Sequence, residues 1–265
     1  TQSQAIGVTA ADLLKHSQQK IAKSGIAFEN LIVCEAPQLT QFETLFPLLS
    51  QDSNKIKRIA LIGDPYSLTP TCHHQFLNSN THFTTSLISR LKDSGAHVIN
   101  LNNQYNRSSK ITSLLQSKYP GLINKADAEF QVSNAGVLNP VQFVTVEGDE
   151  TQPITGVYLN IQEAEYSIQL YQYFRLLGYP RESISVLTPE EGQDILLKEV
   201  ALTRCGDCDA SDEIKDFRFG SPHISTVQDF RGGESEIVIF SSVRSLNPDD
   251  RLLTAALSSA KRGFY

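Results

Sequence analysis

Short, continuous runs of aliphatic residues alternate along this chain with stretches of helical periodicity, and few folds accept that alternation. The runs are Ile6 to Val8, Leu31 to Val33, Ile59 to Ile62, Val141 to Val146, Ile184 to Leu187, Ile224 to Val227 and Ile237 to Phe240. Runs of this length suit strands buried on both faces of a parallel sheet. Between them, helical spacing is read over about Ala11 to Ser24, Gln38 to Ser50, Thr84 to Ser94, Ser109 to Tyr119, Ile161 to Leu177 and Pro189 to Leu202. The pattern is that of repeated βαβ units, so an α/β architecture is expected. Gly25 is expected to close the first helix, and Gly178-Tyr-Pro180 the one that starts at Ile161.

At 265 residues the chain exceeds the usual size of one such domain, which favours two. The loop-like stretch from Gly121 to Asn139 offers a junction. The expected division is therefore a first domain over 1–122, a linker over 123–139 and a second domain over 140–265. Glu147 to Gly156 and Cys205 to Pro222 read as surface insertions, being polar and rich in turn formers. There is no methionine, position 1 included, and no signal-peptide pattern at the start, so an internal piece of a longer protein is expected. On that expectation the first domain is incomplete at its N-terminus and the second is truncated at its C-terminal end.

Composition narrows the partners. No apolar run approaches the roughly 18 residues of a membrane span, so no membrane partner is expected. A formal charge of −6 argues against nucleic-acid affinity driven by bulk electrostatics. Lys15, Lys20 and Lys23, and Lys55, Lys57 and Arg58, read as solvated faces. Cys205-Gly-Asp-Cys208 has zinc-ligand spacing but supplies half a tetrahedral site, which Cys72, His73, His74 or His223 would complete only by chance proximity. No metal site is expected.

Five segments occur in an order that carries more information. They are Leu31-Ile-Val-Cys-Glu-Ala-Pro-Gln38, Ile62-Gly-Asp-Pro-Tyr-Ser-Leu-Thr-Pro70, Asn103-Gln-Tyr-Asn-Arg107, Ser225-Thr-Val-Gln-Asp-Phe-Arg-Gly-Gly-Glu234 and Thr254-Ala-Ala-Leu-Ser-Ser-Ala-Lys261. Together they resemble the DEAxQ, GDxxQLPP, QYR, TVDxFQGxE and NVALTRAK motifs of superfamily 1 helicases. The resemblance implies two RecA-like parallel-sheet domains with nucleotide in the cleft between them and nucleic acid across both.

Read against those motifs, several chemical groups are missing. Cys34 stands where an Asp would hold Mg²⁺, and a neutral thiol is a poor ligand for a hard cation. Cys34 itself reads as a small buried residue finishing a strand. Ser67 replaces the glutamine that senses the γ-phosphate. Asn106 and Ser259 replace two phosphate-clamping arginines, leaving Arg107, one position on, as a candidate substitute. One such arginine is worth about 10³ to 10⁵ in rate, and groups of this kind act as a unit. The catalytic remnants are Glu35 and Asp64, with Gln38, Gln104, Glu234 and Arg244 as remnants of the nucleotide cleft. Thr9, Thr188 and Thr226 match strand-end hydroxyls that meet the sugar-phosphate backbone of RNA in the family.

Longer stretches narrow the resemblance to the Aquarius family of intron-binding spliceosomal helicases. They are Phe28 to Gln38, Phe42 to Leu49, Val132-Ser-Asn-Ala-Gly-Val-Leu138, Gln162-Glu-Ala-Glu-Tyr166 and Leu177-Gly-Tyr-Pro180. That resemblance implies a nuclear, spliceosomal scaffold that binds splicing proteins and pre-mRNA intron or other single-stranded RNA without hydrolysing ATP. No cofactor is expected on this reading. ATP and Mg²⁺ enter only if the chain belongs to an active helicase whose phosphate-binding loop lies upstream, since no G-x-x-x-x-G-K-[S/T] occurs here.

Overall fold

The computed structural model describes residues 5–16, 28–49, 55–70, 83–127, 134–206, 219–244 and 250–265. The chain divides into two units, Thr1–Asn100 and Leu101–Tyr265.

In the first unit the described elements are α1 (Ala10–His16), β1 (Asn30–Val33), α2 (Gln41–Leu49), β2 (Arg58–Leu61) and α3 (Leu87–Asp93). β1 and β2 pair in parallel, with Leu31 opposite Ile59 and Val33 opposite Leu61. A reciprocal capping box starts α2: the Glu43 N–H donates to the Thr40 hydroxyl at 3.2 Å and the Thr40 N–H to the Glu43 carboxylate at 2.8 Å. Ser86 caps α3 by accepting from the Ser89 N–H, and Arg90 reaches back to the Gln41 side chain at 2.8 Å.

Burial on both strand faces, expected from the aliphatic runs, does not hold in this unit. Ile32 is 66% exposed and Ile59 50%, because a sheet of two strands cannot cover its own faces. Ile6 to Val8 forms no strand, having no described strand beside it. Gly25 and the expected helix beyond His16 lie outside the described residues.

The second unit contains β3 (Asn103–Gln104), α4 (Ser109–Leu115), β4 (Ile123–Asn124), β5 (Thr151–Ile154), β6 (Val157–Leu159), α5 (Ile161–Leu176), β7 (Ile184–Thr188), α6 (Glu191–Cys205), β8 (His223–Thr226), β9 (Ser235–Phe240), α7 (Asp250–Ser259) and β10 (Ala260–Phe264). Four parallel strands lie in the order β10-β9-β7-β8. All five residues of β7 are buried, which is why its sequence is aliphatic without alternation. Ile184 and Val186 of β7 and Ile237 and Ile239 of β9 point into one core with Ala164, Ile168, Tyr171 and Phe174 of α5 and Leu197 and Ala201 of α6.

Asn160 caps α5 by accepting from the Glu163 N–H at 2.9 Å, and Gly178, at φ 92°, follows its last turn. Gln193, wholly buried on α6, ties three elements together. It accepts from the Asn160 N–H at 2.9 Å, and donates to the Asn160 carbonyl and the Ser241 hydroxyl at 3.0 Å each.

Residues 101–122, expected with the first domain, lie in the second unit. Ile111 and Leu115 are buried there, and the Ser108 N–H donates to the Lys261 carbonyl at 2.8 Å. Val141 to Val146 is not a strand. Val141 makes one parallel bridge to Phe264, where the Gln142 N–H donates to the Phe264 carbonyl at 3.0 Å, and no strand continues beyond it.

The Asn134-Ala-Gly136 stretch has a structural explanation. Asn134 donates to the Tyr265 hydroxyl at 3.0 Å, and the Tyr173 hydroxyl donates to the Gly136 carbonyl at 2.7 Å. Gly136 sits at φ 83°, where a Cβ would lie 2.3 Å from Leu177 Cδ1. The loop is strapped to α5 and to the residue after β10 by these contacts.

Candidate functional site

In the first unit the two motif turns leave the same edge of the sheet. The Ile62 N–H donates to the Val33 carbonyl and the Ala36 N–H to the Ile62 carbonyl, each at 2.9 Å. Cys34, Glu35 and Asp64 therefore all lie beyond the carboxyl ends of β1 and β2, where ligands bind in open parallel sheets. Cys34 is exposed, not buried as expected, since two strands do not enclose their ends. Glu35 adopts left-handed backbone angles (φ 51°, ψ 36°), and Gln38 donates to its carboxylate at 3.0 Å. A Cβ on Gly63 would lie 2.2 Å from Pro37 Cδ, so the turns approach closely enough to require glycine. Asp64 accepts from the Tyr66 N–H at 2.9 Å, and the Ser67 N–H donates to the Asp64 carbonyl at 3.2 Å. Asp64 thus shapes its own turn.

In the second unit a polar cluster closes the amino edge of the sheet. Glu234 precedes β9, and its two carboxylate oxygens accept from the Asn106 amide at 3.0 and 2.9 Å. Arg107 Nη2 lies 3.3 Å from Glu234 Oε1 and Lys261 Nζ 3.4 Å from Oε2. Gln104 donates in turn to the Asn106 side-chain oxygen. The Arg107 Nε donates to the Ser258 carbonyl at 2.7 Å. Burial pulls the Arg107 guanidinium below the usual arginine range, and the neighbouring Glu234 and the Tyr119 side chain oppose that shift. Ser259 donates back to the Ala255 carbonyl within α7.

A different set lies beyond the carboxyl ends. Thr188 of β7 and Thr226 of β8 are in register. Thr188 is completely buried and accepts from the Glu190 N–H at 3.3 Å. Thr226 donates to Asp229 at 2.7 Å and accepts from the Asp229 N–H at 3.1 Å. Thr9, in the first unit, makes the same box with Asp12, at 2.8 and 3.1 Å. Arg244, past the end of β9, lies with its guanidinium 4.3 Å from the centre of the Tyr158 ring and 3.8 Å from Glu190. Burial raises the Glu190 carboxyl, Arg244 draws it down, and Glu150 raises it further.

The structure thus gathers Gln104, Asn106, Glu234 and the backbone preceding Ser259, and separates Arg244 from them. The six residues of β9 put about 20 Å of strand between Glu234 and Arg244, so the two do not face one ligand. Lys261, Tyr158 and Glu190 were not singled out from sequence. Lys261 closes a recognised motif, whereas Tyr158 sits in a polar stretch without a local signal.

A cavity of about 310 Å³ is lined mainly by apolar and aromatic side chains, among them Phe143, Leu170, Phe240 and Phe264, with Gln142, Ser167 and Ser242 also on its wall. Among the described residues no group of three or more His, Cys, Asp or Glu side chains is placed to hold a metal. Cys205 is buried at the end of α6, whereas Cys208 and Cys72 to His74 lie outside the described residues.

Comparison with known proteins gives a consistent family. Residues 83–265 match the family model described as AAA domain. The RNA helicase aquarius of Mus musculus is 31% identical over 98% of this chain and 18% of its own length. The pre-mRNA-splicing factor cwf11 of Schizosaccharomyces pombe is 31% identical over 100% of this chain and 21% of its own. The chain thus spans about a fifth of the length of these relatives. The solved structure of the PRRSV helicase aligns with 92% of this chain and 36% of its own at 13% identity and a TM-score of 0.47.

Proposed function

Because the chain belongs to the AAA domain family, among superfamily 1 helicases of the Aquarius type, we propose that it is part of a nuclear splicing protein that binds RNA and splicing partners as a helicase-like scaffold without hydrolysing ATP. The two units are read as two RecA-like domains, the first of them partial. The observation that carries this reading is the closed cluster around Glu234. The residue at the family's arginine position is Asn106, bonded to both carboxylate oxygens, while Arg107 is tied to the Ser258 carbonyl. At the metal position Cys34 offers a thiol, a poor ligand for Mg²⁺. Losses at Cys34, Ser67, Asn106 and Ser259 fall on parts that act together.

RNA binding is supported by the family. Contacts from hydroxyls and backbone amides address phosphate and sugar, so the expected binding discriminates little among single-stranded sequences.

The surviving Glu35–Gln38 pair favours a second reading, an ATP-hydrolysing RNA helicase with its phosphate loop upstream of Thr1. ATP turnover by the complete protein in the presence of RNA separates the two. The scaffold reading expects none above background, with or without Cys34→Asp. Turnover abolished by Glu35→Gln establishes the helicase instead.

A further inference from the structure

We propose that Arg244, stacked on Tyr158 and held by Glu190, is a phosphate contact for single-stranded RNA at the carboxyl edge of the second unit's sheet. The inference rests on the reading of the protein as RNA-binding and moves Arg244 from the nucleotide side to the RNA side.

Position comes first. β7, β8 and β9 are neighbours in one parallel sheet; Thr188 and Thr226 end β7 and β8, and Arg244 lies four residues past the end of β9. Adjacent strands lie about 4.8 Å apart, so the carboxyl ends of the three strands share one rim. The cluster at the amino edge is a strand length away and shares no residue with it.

The rim also fixes the direction in which Arg244 leaves the sheet. Val243 has φ 63°, a left-handed angle that a β-branched residue seldom adopts. Its N–H donates to both oxygens of Glu163, at 3.2 and 3.1 Å, which holds the backbone in that shape. The strain projects the next side chain onto the β5–β6 hairpin, where Tyr158 receives it. That hairpin is seated closely: a Cβ on Gly192 of α6 would lie 2.6 Å from Val157 Cγ1.

The guanidinium then has a defined plane and open donors. Its contact with Glu190 is long, at 3.8 Å, and 43% of its side chain remains exposed. A planar guanidinium offers two parallel N–H groups to a phosphate, and stacking on an aromatic ring orients them in advance. Glu190 acts as a stand-in anion that a phosphate displaces. An acidic peptide shares the negative charge, but the reading of the chain as RNA-binding and the match of a planar guanidinium to phosphate favour a polynucleotide.

The test uses the complete protein and oligouridine, with affinity measured by fluorescence anisotropy across a salt series. Arg244→Ala is expected to weaken binding about tenfold and to lower the slope of log affinity against log salt by about 0.7. Arg244→Lys should restore the slope while recovering only part of the affinity. Glu190→Gln should tighten binding, a gain that misfolding does not produce. If oligouridine binds and Arg244→Ala changes neither affinity nor slope, this assignment is wrong while the RNA-binding reading stands. If oligouridine does not bind, both fall; if polyglutamate displaces it from the parent but not from Arg244→Ala, the site takes acidic side chains and the phosphate assignment alone falls.

Discussion

The two ends of the second unit's sheet solve the same problem with different groups. At the amino end, charged and amide side chains are directed at one another: Asn106, Arg107 and Lys261 all meet Glu234. At the carboxyl end the frame is held by a neutral, buried amide, Gln193, and the charged pair Arg244–Glu190 faces outward. The contrast teaches that ionic groups in this unit are structural at one rim and available at the other.

The largest test falls on the neutral frame. Gln193→Ala removes three hydrogen bonds from a fully buried position and leaves Asn160 and Ser241 without them, so a loss of about 3 kcal/mol is expected from denaturant unfolding. Next comes Glu234→Ala. It strips Arg107 and Lys261 of their carboxylate, and because Glu234 is partly exposed the expected loss is about 2 kcal/mol, again by denaturant midpoint. A variant as stable as the parent would make the Glu234 cluster as dispensable as the Arg244–Glu190 pair.

Glu190→Gln sharpens the contrast through pH. Burial raises the folded-state pKa of Glu190, so its contribution is fully present below the unfolded glutamate pKa and is lost as pH rises through the folded value. The glutamine variant should therefore be slightly more stable than the parent at neutral pH and indistinguishable from it in acid, by thermal melts at both. Smallest is Arg244→Ala, whose exposed pair and ring contact predict a change of at most about 0.5 kcal/mol in the same melts. A much larger loss would make Arg244 part of the frame.

The sequence reveals elements whose own residues determine their state. β7 and β9 are legible because strands covered on both faces are rich in aliphatic residues, and α5 and α6 because their buried positions recur at helical spacing. β10 is not legible. Its Ala-Lys-Arg-Gly-Phe sequence has no apolar run, and its strand state comes from pairing with β9. The β5–β6 hairpin hides in a polar stretch and turns at Gly156, φ 85°. The site was legible as motifs but not as geometry. Asn106 and Glu234 are 128 residues apart, and no local pattern indicates that they bond. Nor did the motif order reveal that Glu234 and Arg244 lie at opposite ends of one strand.

The strapped Asn134-Ala-Gly136 loop has a consequence for inherited or engineered variants. Its partners are tyrosine hydroxyls and a leucine methyl, so a substitution such as Gly136→Ala perturbs how the polypeptide is held and leaves every recognition group intact. Such changes should register in cells as lowered abundance, through clearance by quality-control proteases, with specific activity per surviving molecule preserved.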